Sequence, residues 1–152
     1  MPQLIPVVAQ WSPAFAAYFA YLSMNAGTKR FTSKQLLLTN SDKQIQPSDF
    51  ELQRYSEMDR AVRAHANFSE YVPLGLIFVS VAELNGCPRR ILHYFLGTLF
   101  VSRVLHANLG ILSKENAGGF GRCAGFFGTL GVMCLSAAYS AWSVCTGQHL
   151  NL

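Results

Sequence analysis

The stretch GRCAGFFGTLGVMCLSAAYSAWSV, residues 121–144, decides the fold class, because its only charged residue is Arg122. No charged residue follows Arg122 to the end of the sequence, and none precedes Lys29. A helix that spans a bilayer needs about 20 mostly apolar residues, and both uncharged stretches are long enough. The sequence therefore predicts an integral membrane protein with a spanning helix near each end.

The composition agrees with this prediction. The chain has 152 residues, of which 51% are hydrophobic and 13% charged, whereas soluble domains carry about 25% charged residues. An ordinary soluble domain and a disordered chain are both excluded on these grounds. The four cysteines contain no Cys-x-x-Cys pair, so neither a zinc finger nor a disulfide scaffold is expected, and we interpret them as apolar packing residues.

Four apolar segments give the predicted spans, which are residues 4–24, 60–84, 91–112 and 121–144 of a single domain covering 1–152. The polar stretch 25–53 is predicted to be a long loop outside the bilayer. The second helix should begin near Ser48 or Asp49 and end at Asn85-Gly86, so its first half should project into water. Short connections between the later helices favour an all-α, antiparallel four-helix bundle.

The basic residues orient this bundle in the membrane. Lys29, Arg30 and most other basic residues fall on the side of the first and third connections, whereas Arg89 and Arg90 fall on the opposite side. By the positive-inside bias, the long first loop is predicted to be cytoplasmic. The membrane would be the endoplasmic reticulum in a eukaryote or the inner membrane in a bacterium.

Two charged residues lie well inside the predicted spans rather than near their ends. Glu70 belongs to the second span and Arg103 to the third. A charged side chain within a span costs about 2.5 to 3.5 kcal/mol on insertion scales, so it normally faces the bundle interior and has a partner. We therefore predict that Glu70 and Arg103 pair with each other.

Helical spacing extends this pair into a polar stripe. Arg60, Arg63, Asn67 and Glu70 are spaced i, i+3, i+7 and i+10, while Arg103 and His106 are spaced i, i+3 on the next helix. The predicted result is a buried polar stripe near the cytoplasmic surface. Its donors and acceptors suit a small zwitterionic ligand with several carboxylates. The alternative, that these groups pair only with each other and fix the helix register, stays open with equal weight.

Three ordered segments resemble the MAPEG family, membrane-associated proteins in eicosanoid and glutathione metabolism. The run DRAVRAHANFSEYVP, residues 59–73, is similar to the family signature of an acidic residue and Arg, then Arg-Ala, Asn, Glu and Pro. SRVLH at 102–106 resembles the family's Gly-Arg-x-x-His segment, and RCAGFFG at 122–128 resembles the start of its last helix. The resemblance covers essentially the whole chain, although the first helix and its loop match only in character.

The resemblance implies a homotrimer of four-helix subunits that binds glutathione between neighbours near the cytosolic face. The matching positions place Arg63, Asn67, Glu70 and His106 around the tripeptide, and Arg122 at its sulfur. A fixed guanidinium lowers the pKa of a thiol, and the thiolate is the nucleophile. The further ligand-binding candidates are Arg30, from the family Arg at the end of the first helix, Arg103, from the polar stripe, and Cys123.

Departures from the family pattern narrow the expected activity. Gly110 stands where some eicosanoid-synthesising members have Tyr, and Ala66 stands where one has Arg. A prostaglandin or leukotriene synthase is therefore not expected. Cys123 stands where prostaglandin-forming members have Ser; it is either a weak donor to the thiolate or a small packing residue, and packing is favoured. The glycine-rich connection 114–121 is longer than in those synthases, so the placement of Arg122 is open.

The predicted function is that of a membrane-bound glutathione transferase, with glutathione-dependent peroxidase activity as a further possibility, acting on an apolar electrophile taken from the lipid. The main alternative is a non-catalytic lipid-binding or scaffolding protein of the same family. A transporter or channel subunit has little support, because no span is broken and no repeat occurs. No metal is expected at His93 or His149, which have no acidic neighbour at ligand spacing, and no nucleic-acid partner is expected.

Glycines of the last segment predict a close helix contact. Gly121 and Gly125 form a Gly-x-x-x-Gly pair, and Gly128 follows. Small residues at this spacing most often let two membrane helices approach closely.

Overall fold

The computed structural model describes residues 4–40, 49–113 and 119–147, and within these ranges all regular structure is helical. Its elements are α1 (Pro6–Asn40), α2 (Asp49–Leu84), α3 (Arg89–Leu105), a π-helical continuation of α3 (His106–Ile111) and α4 (Phe120–Cys145). The predicted all-α architecture with four long helices is confirmed. The predicted end of α2 is also confirmed, because Gly86 has a φ of 80°, the left-handed conformation that ends many helices.

The prediction of a loop from residue 25 is wrong, because α1 continues to Asn40. Lys29 Nζ lies 3.1 Å from Glu57 Oε2, and this ion pair joins the later part of α1 to α2. The Thr28 and Thr32 hydroxyls donate to carbonyl oxygens one turn earlier. Polar composition alone did not distinguish a loop from a helix that projects past the apolar segment. Residues 41–48 lie outside the described part of the chain.

The helices form an antiparallel bundle in which α1 packs on α2, α2 packs on α3 and α4, and α3 packs on α4. The start of α1, the α2–α3 turn and the end of α4 lie at one end of the bundle. The opposite end, which we call the Arg122 end, contains the start of α4 and the π-helical segment. Apolar residues from the first three helices fill the centre, among them Leu22, Val79, Leu92, Leu96 and Leu99.

Glu83 closes the first helical hairpin at the turn end. Its Oε1 accepts the Val7 N–H at 2.7 Å, and its Oε2 accepts the Val8 N–H at 3.0 Å. These amides belong to the first turn of α1, where backbone N–H groups have no helical partner. The buried carboxylate therefore caps the first turn of a helix whose residue Val7 lies 76 residues earlier in the sequence. Spacing along the sequence gave no sign of this role.

Glycines place α4 directly against α3, as predicted. A Cβ added to Gly121 would lie 2.6 Å from Leu109 Cβ, and one added to Gly125 would lie 2.5 Å from the Ser102 carbonyl oxygen. A Cβ on Gly128 would collide with the Ser102 hydroxyl. The three glycines therefore allow a helix contact that any larger residue would push apart.

The cysteines differ in their surroundings. Cys87, in the α2–α3 turn, is buried, whereas Cys123, Cys134 and Cys145 are exposed on one stripe of α4. The interpretation of all four as packing residues is therefore correct within this chain for Cys87 alone. An eleven-residue spacing places three side chains on one stripe, but it does not say which way that stripe faces.

The Cys87 thiol is expected to react slowly, with a rate that rises with pH. Burial, together with the nearby Glu83 carboxylate, raises the pKa of Cys87 to about 11. Because the thiolate is the reactive form, alkylation at pH 8 should be about 10- to 100-fold slower than for an exposed cysteine. The rate should increase about tenfold per pH unit as the pH rises toward that pKa. Maleimide labelling of a variant that keeps only Cys87 measures this, and a rate that levels off below pH 9 would contradict it.

Candidate functional site

Arg103 is the centre of the polar cluster in the bundle, and only 2% of its surface is exposed. Its Nη1 donates to Asn67 Oδ1 at 2.8 Å, and its Nη2 donates to the Gly125 carbonyl oxygen at 2.9 Å. The guanidinium carbon lies 5.0 Å from the centroid of the Tyr71 ring, within cation–π range. Three elements, α2, α3 and α4, therefore meet at one cation.

The predicted pair between Glu70 and Arg103 is wrong, because Arg103 contacts Asn67 instead and the Glu70 side chain is exposed. Three residues along a helix correspond to a rotation that leaves Glu70 about 60° away from Asn67 around α2. Asn67 faces α3, and Glu70 lies on the neighbouring face.

The predicted buried polar stripe is divided between the interior and the surface. Asn67 is half-buried and Arg103 and His106 are buried, whereas Arg63 is exposed like Glu70. Arg63 Nε lies 2.8 Å from Asp59 Oδ2, an ion pair within one turn of α2. In this single chain, Asn67, Arg103 and His106 lie inside the bundle. The cation of Arg63 and the carboxylate of Glu70 lie at its surface.

His106 and Gly110 position the start of α4. His106 Nδ1 lies 3.0 Å from the Arg122 carbonyl oxygen, and because a carbonyl only accepts, this nitrogen carries the hydrogen. A Cβ added to Gly110 would lie 3.1 Å from Arg122 Cα, so the backbone of α4 fills the space beside Gly110. The Arg122 side chain is exposed. Arg122 stands on the first turn of α4, and its predicted contact with the ligand sulfur stays a prediction.

Residues His106–Ile111 form a π-helical segment, which no sequence pattern predicted. Such segments interrupt regular helices and are frequent at functional sites. Asn108 within it accepts a hydrogen bond from the Tyr18 hydroxyl at 3.3 Å, which joins α1 to this segment. The hydrogen bond from Tyr18 to Asn108 and the hydrogen bond from His106 to the Arg122 carbonyl oxygen therefore join this segment to α1 and to α4 at the Arg122 end of the bundle.

Arg30 and Cys123 are two further site candidates that the fold leaves at its surface, besides Arg63, Glu70 and Arg122. Both are exposed, on α1 and α4 respectively. Within the described ranges, no hydrogen bond joins either side chain to Asn67, Arg103 or His106. Their predicted contacts with a ligand stay predictions.

Sequence analysis missed a polar cleft between α1 and α2 at the Arg122 end. One cavity there has a volume of about 410 Å³ and is lined by polar residues of both helices around the Lys29–Glu57 pair. A second, of about 280 Å³, shares that pair and extends to Arg60 and Leu112. Lys29 had been assigned only a topological role, and its partner Glu57 lies 28 residues away, beyond the reach of helical spacing rules.

Two further properties bear on function. In the parts of the chain that the structure describes, no three His, Cys, Asp or Glu side chains gather as metal ligands. Within the same parts, one helix, α4, is long and apolar enough to cross a membrane by length and composition.

Comparison with known proteins identifies the family. The sequence model of the MAPEG family matches residues 8–142. No curated protein matches the chain closely. The MAPEG family is membrane-associated, and it includes glutathione transferases as well as non-catalytic members. Because the match covers most of the chain, this four-helix protein belongs to the MAPEG family.

Proposed function

We propose that this protein is an integral membrane glutathione transferase, active as a homotrimer, that forms the glutathione thiolate beside Arg122 and directs it at an apolar electrophile. The same thiolate would give the protein glutathione-dependent peroxidase activity. The observation that carries the proposal is the fixed placement of Arg122 on the first turn of α4, beside Gly110 and His106.

The distribution of polar and apolar surface supports a membrane location. Buried polar side chains include Glu83, Arg103, Thr129, Ser136 and Ser140. Large apolar side chains are instead exposed on every helix, among them Phe19, Ile77, Tyr94, Val101, Leu135 and Trp142. Lipid accepts such a surface, whereas soluble monomers rarely expose large apolar patches. The hydroxyls of Thr129, Ser136 and Ser140 donate to carbonyl oxygens of their own helix, α4, one turn earlier.

The charges at the Arg122 end match those of glutathione. Arg63 and Arg122 supply cations for carboxylates or for the thiolate, and Glu70 supplies a carboxylate for the ammonium group. Asn67 and His106 stand behind them, held by Arg103 and by the start of α4. Glutathione combines two carboxylates, one ammonium group and one thiol, so Glu70 would face the ammonium group, Arg122 the thiolate and Arg63 one of the two carboxylates.

The proposed chemistry depends on the Arg122 guanidinium. A thiol with a pKa near 8.5 is mostly protonated at neutral pH, and a neighbouring cation lowers that value. The thiolate then forms a bond from sulfur to the electrophilic carbon, and the leaving group departs with the bonding electrons. With a peroxide, the thiolate sulfur bonds to one peroxide oxygen as the O–O bond breaks, and the other oxygen leaves and is protonated to an alcohol. A second glutathione thiol then attacks the resulting sulfenic acid, so that glutathione disulfide forms and water leaves.

The exposure of the candidate residues supports an assembly of several subunits. Arg63, Glu70 and Arg122 all lie on the surface of the single chain, whereas a site that activates a thiolate benefits from exclusion of water. A neighbouring subunit would supply that cover, and because the resemblance implies a trimer, we propose a homotrimer. Native mass spectrometry of the detergent-purified protein measures this directly, and a monomer would contradict it.

Arg122→Ala is expected to abolish the thiolate signal. Glutathione titrated into the detergent-purified wild type at pH 7 should give a saturable thiolate absorbance in the ultraviolet, and the variant should lose at least about 90% of it, because a shift of one pKa unit changes the thiolate fraction about tenfold. Arg122→Lys should retain part of the signal, since a cation remains.

Arg89→Ala is the matched control for this experiment, because Arg89 is also an exposed Arg on the first turn of a helix, but at the opposite end of the bundle. It should leave the absorbance unchanged. An undiminished signal in Arg122→Ala would assign thiolate formation to another group. A wild type that binds no glutathione would overturn the proposed function itself.

One observation favours the alternative of a non-catalytic lipid-binding protein. A groove of about 480 Å³ lies between α1 and α2 and has largely apolar walls, including Phe15, Phe19, Phe68 and Val72. An acyl chain would fit these walls, and a lipid-binding protein needs no thiolate. The two functions separate when a lipid-binding measurement is made beside the glutathione titration, because lipid binding without a thiolate signal supports the alternative.

A further inference from the structure

The contact between Arg103 and Asn67 allows one orientation of the Asn67 amide. A guanidinium has five N–H donors and no acceptor, so the atom of Asn67 that faces it at 2.8 Å is the Oδ1 oxygen. The Nδ2 group is thereby turned away from Arg103. Among the described residues it has no hydrogen-bond acceptor. Asn67 is therefore held as a donor whose two N–H groups remain available.

Arg103 is itself held in place by contacts on several sides. The Gly125 carbonyl oxygen accepts from Nη2, and the Tyr71 ring covers the guanidinium. Its Nε is buried and has no partner within the described ranges. Neither of the two ion pairs in those ranges involves Arg103. A buried cation without a carboxylate is costly for stability, and it makes the region around Asn67 favourable for a negatively charged ligand.

We propose that Arg103 is a positioning residue, which does not itself touch the ligand but holds Asn67 as a hydrogen-bond donor toward it. The site then selects an oxygen acceptor, a carboxylate or peptide carbonyl, at this point of the ligand. It disfavours a ligand that presents an ammonium or amide N–H group there, because two donors would face each other. This inference rests on the proposed glutathione site and specifies how one part of that site recognises the peptide.

Asn67→Asp separates the donor role of Asn67 from its structural role. The carboxylate can still accept from Arg103, and the added charge strengthens that contact, so the variant should remain folded. It has no N–H group to offer, and its charge repels a ligand carboxylate. S-methylglutathione, which has no thiol, is therefore expected to bind about 10- to 100-fold more weakly to the full-length variant, measured by isothermal titration calorimetry.

Asn85→Asp is the matched control, because Asn85 is also a half-buried amide but lies in the α2–α3 turn, at the opposite end of the bundle. It should change the affinity less than about twofold, since it introduces the same charge away from Asn67. Equal affinity in wild type and Asn67→Asp would overturn the donor role. If Asn67→Asp fails to fold, Asn67→Ser serves instead: its hydroxyl accepts from Arg103 and keeps one donor, so intermediate affinity is expected and unchanged affinity would overturn the proposal.

The positioning role of Arg103 is tested by comparing two substitutions of similar length. Arg103→Lys keeps a group that can only donate, so the Asn67 amide should keep its orientation and most of the ligand affinity. Arg103→Gln can donate or accept, so the amide is free to reverse, and affinity should fall at least about fivefold further. Equal losses in both variants would show that Arg103 acts only through packing. Absence of S-methylglutathione binding in the wild type would instead mark failure of the glutathione site.

Discussion

Gly125→Ala is expected to destabilise the protein by about 3 kcal/mol or more, because the added methyl group has no space between α3 and α4. Its Cβ would lie 2.5 Å from both the Ser102 carbonyl oxygen and His106 Cβ, and these atoms cannot rotate away as the end of a flexible side chain can. Moving α4 outward would also lengthen the hydrogen bond from Arg103 to the Gly125 carbonyl oxygen. Thermal unfolding in detergent measures the loss.

Gly131→Ala is the matched control on the same helix. A Cβ added to Gly131 would meet nothing within 4 Å, and alanine favours a helix over glycine by about 0.5–1 kcal/mol. This variant should therefore be as stable as the wild type or slightly more stable. Equal stability of Gly125→Ala and Gly131→Ala would mean that α3 and α4 separate at little cost. The close contact between these helices would then contribute little to the stability of the protein.

Glu83→Gln is expected to cost about 2–4 kcal/mol of stability. The wild-type carboxylate accepts two backbone hydrogen bonds at the positive end of the α1 dipole, and bonds to charged groups contribute about 1.5–3 kcal/mol each. Glutamine keeps one acceptor oxygen but turns an NH₂ group toward the second amide, so one N–H of α1 is left unsatisfied. Amide hydrogen exchange at Val7 and Val8 should accelerate together with the loss of thermal stability.

Glu70→Gln provides the comparison for Glu83, because its carboxylate is exposed on the same helix. It should change the stability by less than about 0.5 kcal/mol, as most surface substitutions do. If Glu83→Gln proved equally harmless, the start of α1 would be held by its apolar contacts rather than by the carboxylate.

Local sequence patterns predicted the helices well where each pattern is confined to one element. The uncharged stretch after Arg122 identified α4, and Asn85-Gly86 marked the end of α2 because glycine adopts a positive φ there. Gly121 and Gly125 predicted close packing, since their small size matters wherever two helices touch. The family signature could likewise be recognised without knowledge of tertiary contacts, because each of its segments is continuous in the sequence.

Contacts between distant segments could not be predicted from spacing. The later part of α1 contacts α2 through the pair of Lys29 with Glu57, a contact that spacing along the sequence does not indicate, and polar composition fits a loop equally well. Asn67 and Glu70 lie close enough around α2 that spacing could not decide which of them reaches Arg103. That choice depends on how α2 is rotated against α3 and α4, which places Tyr71 next to Phe126 and under Arg103.

The exposure of the candidate site also lay beyond sequence reasoning. A stripe of charged residues in an apolar protein suggested burial within one chain, whereas Arg63 and Glu70 lie at its surface. Helical spacing places residues on a common face, but it does not state whether that face meets the same chain, a second copy or lipid.

The carboxylate of Glu83 makes the hydrogen bonding of the first turn of α1 depend on a residue that is synthesised much later. A ribosome completes α1 long before Glu83, 76 residues after Val7, leaves the exit tunnel. Until then the first turn of α1 has exposed amides, which are poorly tolerated in hydrocarbon but easily tolerated in water or among lipid headgroups. The first turn of α1 can therefore gain its two hydrogen bonds to Glu83 only after the whole of α2 has been synthesised.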